Sequence, residues 1–95
     1  MKVIELDLTN CKYWCDLHEN IRIAFDFPEW YGRNWDAFWD LLWSECDADK
    51  VIIKGENNLP KELKNEMSIM HECLDDKIAF NKKHGFNEFS YEIIS

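Results

Sequence analysis

Two aspartates, Asp36 and Asp40, stand four residues apart in the run Trp35-Asp36-Ala37-Phe38-Trp39-Asp40-Leu41-Leu42-Trp43. A helix puts them one turn apart on one face beside Trp39 and Trp43. Trp35, Phe38, Leu41 and Leu42 then gather on a side that can meet a core. An acid and a base so placed could hydrolyse a glycoside. A chain of 95 residues with one such helix, however, has little room for a cleft enclosing a sugar. Carboxylates at fixed spacing can also stand where phosphates sit in a cationic active site, because each accepts a bidentate arginine. Like charges at i and i+4 weaken an isolated helix by about 0.2–0.5 kcal/mol. A face that disfavours the monomer and carries large aromatic rings is read as a partner surface rather than as ordinary solvated helix. Four of the five tryptophans lie between positions 30 and 43. Trp30, Trp39 and Trp43 could exclude water around the acids and strengthen charged contacts as the local dielectric falls.

Other chemistry is poorly represented. Three separated glycines form no phosphate loop, and no serine sits in a nucleophile elbow. His18, His71 and His84 read as solvated or cap-forming side chains rather than general bases. Cys11, Cys15 and His18 fall at helical spacing, but a fourth metal ligand is missing. No metal, cofactor or catalytic role is expected. The four cysteines make no C-x-x-C pair, acids interrupt any apolar run after Met1, and no stretch reaches membrane length. Free thiols in a reducing cytoplasm are the expectation. A net charge of −8 repels nucleic acid and anionic membranes and complements a basic protein.

The elements that must position the acids are legible from periodicity. Val3 to Leu8 alternates as a strand, and a helix follows between Lys12 and Phe25 with Trp14, Leu17, Ile21, Ala24 and Phe25 on one stripe. Pro28 and Gly32 punctuate a loop before a second helix from Arg33 to about Cys46. Lys50 to Gly55 is a short strand whose consecutive apolar residues predict burial on both faces. Pro60 to about Asn81 is helical, either as one helix or as two with a break near Asn65. Lys82-Lys83-His84-Gly85 ends it with basic residues and a glycine cap, and Phe89 to Ile94 is the last strand. The order predicts one α/β domain over residues 1–95, a small three-stranded parallel sheet packed by three to four helices.

The run Pro28-Glu29-Trp30-Tyr31-Gly32, then Asn34, Asp36-Ala37, Trp39-Asp40 and Leu42, resembles the loop and second helix of the barstar family, intracellular inhibitors of barnase-type ribonucleases. Asp16-Leu17-His18-Glu19, followed nine residues later by Pro28, fits the family's first helix. The specific resemblance covers roughly residues 15 to 43, and the order of elements agrees beyond it. It implies that Asp40 is the principal active-site blocker and Asp36 its neighbour, with Trp30, Tyr31, Gly32, Asn34 and Trp39 forming the adjoining surface. It also implies a late acid on the long helix, best matched by Asp76, with Glu72 close by. Trp30 stands where the family has tyrosine, Trp35 and Phe38 replace leucines, and Arg33 replaces an acid, which places a cation in the presumed anionic face. The implied role is an immunity protein or antitoxin, a monomer when free, that forms a 1:1 complex with a basic ribonuclease toxin. The alternative is an acidic adaptor, or an inhibitor of a different toxin such as a DNase.

Overall fold

The computed structural model describes residues 2–94. Three strands, β1 (Val3–Asp7), β2 (Lys50–Lys54) and β3 (Ser90–Ile94), form a parallel sheet in the order β1-β2-β3. Between β1 and β2 run α1 (Trp14–Phe25) and α2 (Trp35–Ser44), and between β2 and β3 a single 3-10 turn (Glu56–Asn58) and α3 (Lys61–His84). This is the α/β layering expected. The segment Lys61–His84 is one helix that passes through Asn65 without a break. Gly85 ends it in the left-handed region at φ 69°, behind Lys82, Lys83 and His84, whose charges suit the negative end of the helix dipole.

Two right-handed crossovers that advance in one direction put their helices on the same face of a sheet. Ile4, Leu6, Val51 and Ile53 accordingly point into a core shared with Leu17, Ile21, Phe38, Leu42, Met67, Met70 and Leu74. The opposite face is bare. Ile52, expected to be buried like its neighbours, lies there half-exposed between Glu5 and Glu92. Lys54 pairs with Glu5 at 3.5 Å and Lys50 with Glu92 at 3.2 Å, so charge rather than a helix layer covers the outer surface. A run of three apolar residues had suggested two buried faces, whereas three strands with all helices on one side provide only one.

One tight passage ties the sheet together where β1 and β2 end. The Leu8 N–H donates to the Lys54 carbonyl at 2.8 Å, and Gly55 follows at φ 79°. A Cβ on Gly55 would lie 2.6 Å from Thr9 Cγ2 and 2.7 Å from the Thr9 backbone nitrogen, so the position needs glycine for both conformation and space.

Candidate protein-binding site

The loop entering α2 is held from inside the molecule. Tyr31 is only 2% exposed; its hydroxyl lies 2.7 Å from His18 Nδ1 and 3.5 Å from the Asn34 carbonyl oxygen, to which it can donate. His18 is fully buried, with Trp14 at 4.3 Å and Trp35 at 4.8 Å between ring centroids. This corrects the expectation of a solvated histidine: the side chain sits on the buried stripe of α1, beside Leu17 and Ile21. Burial, with the nearby Arg33 cation, lowers its pKa from 6.5 to about 4, so the ring is neutral near pH 7. Burial also pushes the Tyr31 hydroxyl well above its ordinary value.

Asn34 caps α2. Its Oδ1 accepts from the Ala37 N–H at 2.7 Å, and its Nδ2 donates to the Gly32 carbonyl at 3.1 Å. Gly32 is exposed, and a Cβ there would come within 3.2 Å of Ala37 Cβ. Arg33 turns away from the acids. In a left-handed conformation at φ 52°, it accepts from Trp14 Nε1 through its carbonyl at 3.0 Å and sends its guanidinium to Glu19 of α1 at 3.0 Å. Glu19, bonded by Arg22 and Arg33, falls to a pKa of about 2. The cation that seemed to intrude on the acidic face is therefore engaged elsewhere. Trp30 is left at the loop tip, 73% exposed.

The two helices then bring distant residues together. The Trp35 indole donates to Glu66 at 3.2 Å, tying α2 to α3 at one end, and Lys77 donates to the Leu42 carbonyl at 3.2 Å at the other. Between these ties lies a groove of about 270 Å³ lined by Trp35, Asp36, Trp39, Ile69, Glu72, Cys73 and Asp76. Asp36 and Asp76, far apart in sequence, thus share one groove, and so do Asp76 and Glu72, the two alternatives for the late acid. Asp40 is exposed one turn further along α2. Beneath the groove, burial raises the Cys73 thiol pKa, and the negative fields of Asp76, Glu72 and Asp36 raise it further.

Several acids of the chain are held by internal partners, and these are not. Asp47 meets Lys2 at 2.6 Å, Glu19 holds two arginines, Glu56 meets His71 at 2.7 Å, and Asp75 accepts from Tyr91 at 2.9 Å. Among the described residues, no cation or hydrogen-bond donor faces the carboxylates of Asp36, Asp40, Glu72 or Asp76. Nor do any three carboxylate, imidazole or thiol groups converge closely enough among those residues to hold a metal ion. The acids therefore present separated negative positions. A larger hollow of about 460 Å³ lies between the α2–β2 connection and the end of α3, but its Asp47 and Asp49 are already bonded to Lys2.

Trp39 and Trp43 are half-buried rather than fully presented. Trp39 packs against the core and lines the groove. Trp43 leans on Trp39 at 5.1 Å and on Phe80 of α3 at 4.5 Å, with the Lys77 ammonium 5.3 Å from its ring centroid. Sequence reasoning passed over Lys77, which continues the stripe Leu63, Met67, Met70, Leu74 and is itself buried. A lysine at that place on an apolar stripe is a signal for an internal acceptor, here the last-turn carbonyl of α2. It passed over the His18–Tyr31 contact because nothing local links positions 13 residues apart.

Among the described residues no helix is long and apolar enough to cross a membrane. A family model described as Barstar (barnase inhibitor) matches residues 1–89. Over 37 residues the chain is 40% identical to a Bacillus subtilis (strain 168) protein named "Putative ribonuclease inhibitor YrdF". That match takes in 39% of this chain and 41% of the relative, so the chain spans about two-fifths of the relative's length.

Proposed function

The chain belongs to the barstar family, and on that premise we propose that it is a protein inhibitor of a barnase-type ribonuclease, blocking the enzyme's cationic active site with carboxylates held by α2 and α3. The observation that carries this reading is the groove that unpartnered Asp36, Glu72 and Asp76 share with Trp39, with exposed Asp40 one helical turn beyond Asp36 on α2. Arg, Lys and His that hold RNA phosphates would meet carboxylates instead, and each carboxylate can accept a bidentate arginine. Asp40 is the principal blocker in this proposal, Asp36 supports it, and Asp76 with Glu72 closes the groove from the α3 side. Trp30, Gly32 and Asn34 form the adjoining loop surface, Trp39 and Trp43 exclude water, and Tyr31 acts from beneath by bracing the loop. The whole chain acts as one domain, binds one enzyme molecule and has no hydrolase activity of its own. Protection of a cell from its own ribonuclease toxin is the role that such blocking serves.

RNA cleavage by purified barnase, titrated with this chain, tests the proposal. Activity should fall to zero at one equivalent, without added metal and without cleavage by the chain alone. Undiminished cleavage at micromolar excess would refute it, and inhibition of a DNase in a parallel DNA-cleavage titration would favour an inhibitor of another nuclease.

A further inference from the structure

The groove does not end at Asp76. Glu72, Asp76, Phe80 and His84 recur every four residues along α3 and lie on one side of it, a span of about 18 Å at 1.5 Å per residue. From Trp39, which lines the acidic groove, ring contacts run without a gap through Trp43 at 5.1 Å, Phe80 at 4.5 Å and then Phe86 at 5.8 Å, with His84 4.3 Å from Phe80. The backbone that carries Phe86 is anchored: its N–H donates to the Asn81 carbonyl at 2.9 Å just past the helix cap, and Asn81 Nδ2 donates to the Asn87 carbonyl at 3.1 Å. Yet Phe80 is 39% exposed and Phe86 60% exposed. Acids thus occupy one half of the α2–α3 surface, and a continuous aromatic seam occupies the other.

We propose that this seam is the second half of the inhibitor's interface, taking an apolar lip beside the active site of the same ribonuclease whose cationic centre meets the acids. The inference rests on the proposed function above. The occupant follows from continuity and charge. The seam joins the groove through Trp39 and Trp43, which the proposed function already places against the enzyme. Lys82 and Lys83, beside Phe86 at the end of α3, disfavour a basic lip there. Rigid aromatic rings that lose little entropy on binding are favoured anchors, and truncating one typically weakens binding severalfold or more.

Binding kinetics of barnase with Phe86→Ala, Asp36→Ala and Ile23→Ala test it. Ile23 serves as the control because it is equally exposed, at 62%, but lies on α1. Phe86→Ala should dissociate at least about fivefold faster, by the same factor at low and high salt, while Ile23→Ala matches the parent. The Asp36→Ala loss should shrink as salt screens it. Slowed hydrogen exchange at residues 84–87 in the complex of the unmodified chain gives a readout that does not depend on any substitution. Parent-like binding by Phe86→Ala with no protection at 84–87, while Asp36→Ala binds weakly, overturns the seam and leaves the acidic site standing. Parent-like binding by both variants, or no complex with the parent, overturns the acidic site and the seam with it.

Discussion

Lowering the pH should loosen this protein through His18. The ring is fully buried among Trp14, Trp35 and Tyr31, with Arg33 nearby, and its pKa falls from 6.5 to about 4. The unfolded chain takes up this proton near pH 6.5, whereas the folded chain resists until about pH 4. Unfolding therefore binds a proton in that window, and stability falls as the pH is lowered through it. At about 1.4 kcal/mol per pH unit, the gap amounts to about 3 kcal/mol, of which about 2 kcal/mol is lost by pH 5. That is a large part of the about 5–15 kcal/mol that holds a typical domain folded. Glu19, with a pKa near 2, acts in the same direction but only at lower pH, below its ordinary value of 4.5. Denaturant unfolding at pH 7, 6 and 5 isolates the histidine. The parent should lose about 2 kcal/mol across that range, and His18→Gln, although less stable at pH 7, should lose much less. Because His18 braces Tyr31 and hence the loop before α2, inhibition should weaken over the same range. An equal pH slope in His18→Gln would refute the assignment, and a flat profile in the parent would refute the buried neutral ring itself.

Asp40→Ala should weaken ribonuclease binding by roughly 2–5 kcal/mol, mostly as faster dissociation, and Asp36→Ala by less, while Glu5→Gln on the bare sheet face should change mainly the association rate. Complexes of this family already contribute to that general range, so the ranking of the three variants by surface plasmon resonance is what is at risk. Asn34→Ala removes the α2 cap and should lower unfolding free energy by about 1 kcal/mol in denaturant titration, with a further loss in binding because α2 carries Asp36 and Asp40. Gly55→Ala should lower the thermal midpoint by several degrees, since its Cβ would meet Thr9 and the residue would keep a positive φ. An unchanged midpoint would mean that the β1 and β2 exits can move apart.

Local chemistry made much of this protein readable along the chain. Asn34 followed by an apolar-periodic run marks the start of α2, and Gly85 behind two lysines and a histidine marks the end of α3, because caps and dipoles act within one turn. The pairing of Asp36 with Asp40 needs only helical periodicity. The strand–helix–strand order was enough to imply parallel pairing and the α/β class. Burial was less legible. The run Val51-Ile52-Ile53 suggested two covered faces, but whether a second helix layer exists depends on where both crossovers pass, which no strand encodes locally.

The meeting of Asp36 with Glu72 and Asp76, the removal of Arg33 toward Glu19, the descent of Tyr31 onto His18 and the placing of Lys77 under the end of α2 all join residues well separated in sequence. Each depends on the packing of α1, α2 and α3 against one another. Periodicity assigns a side chain to a face of its own helix, but helix packing decides which other side chain that face will meet. The sequence by itself therefore determined which residues could carry negative charge on a helical face. Only the tertiary structure decided which of those charges gather in one groove and remain without an internal partner.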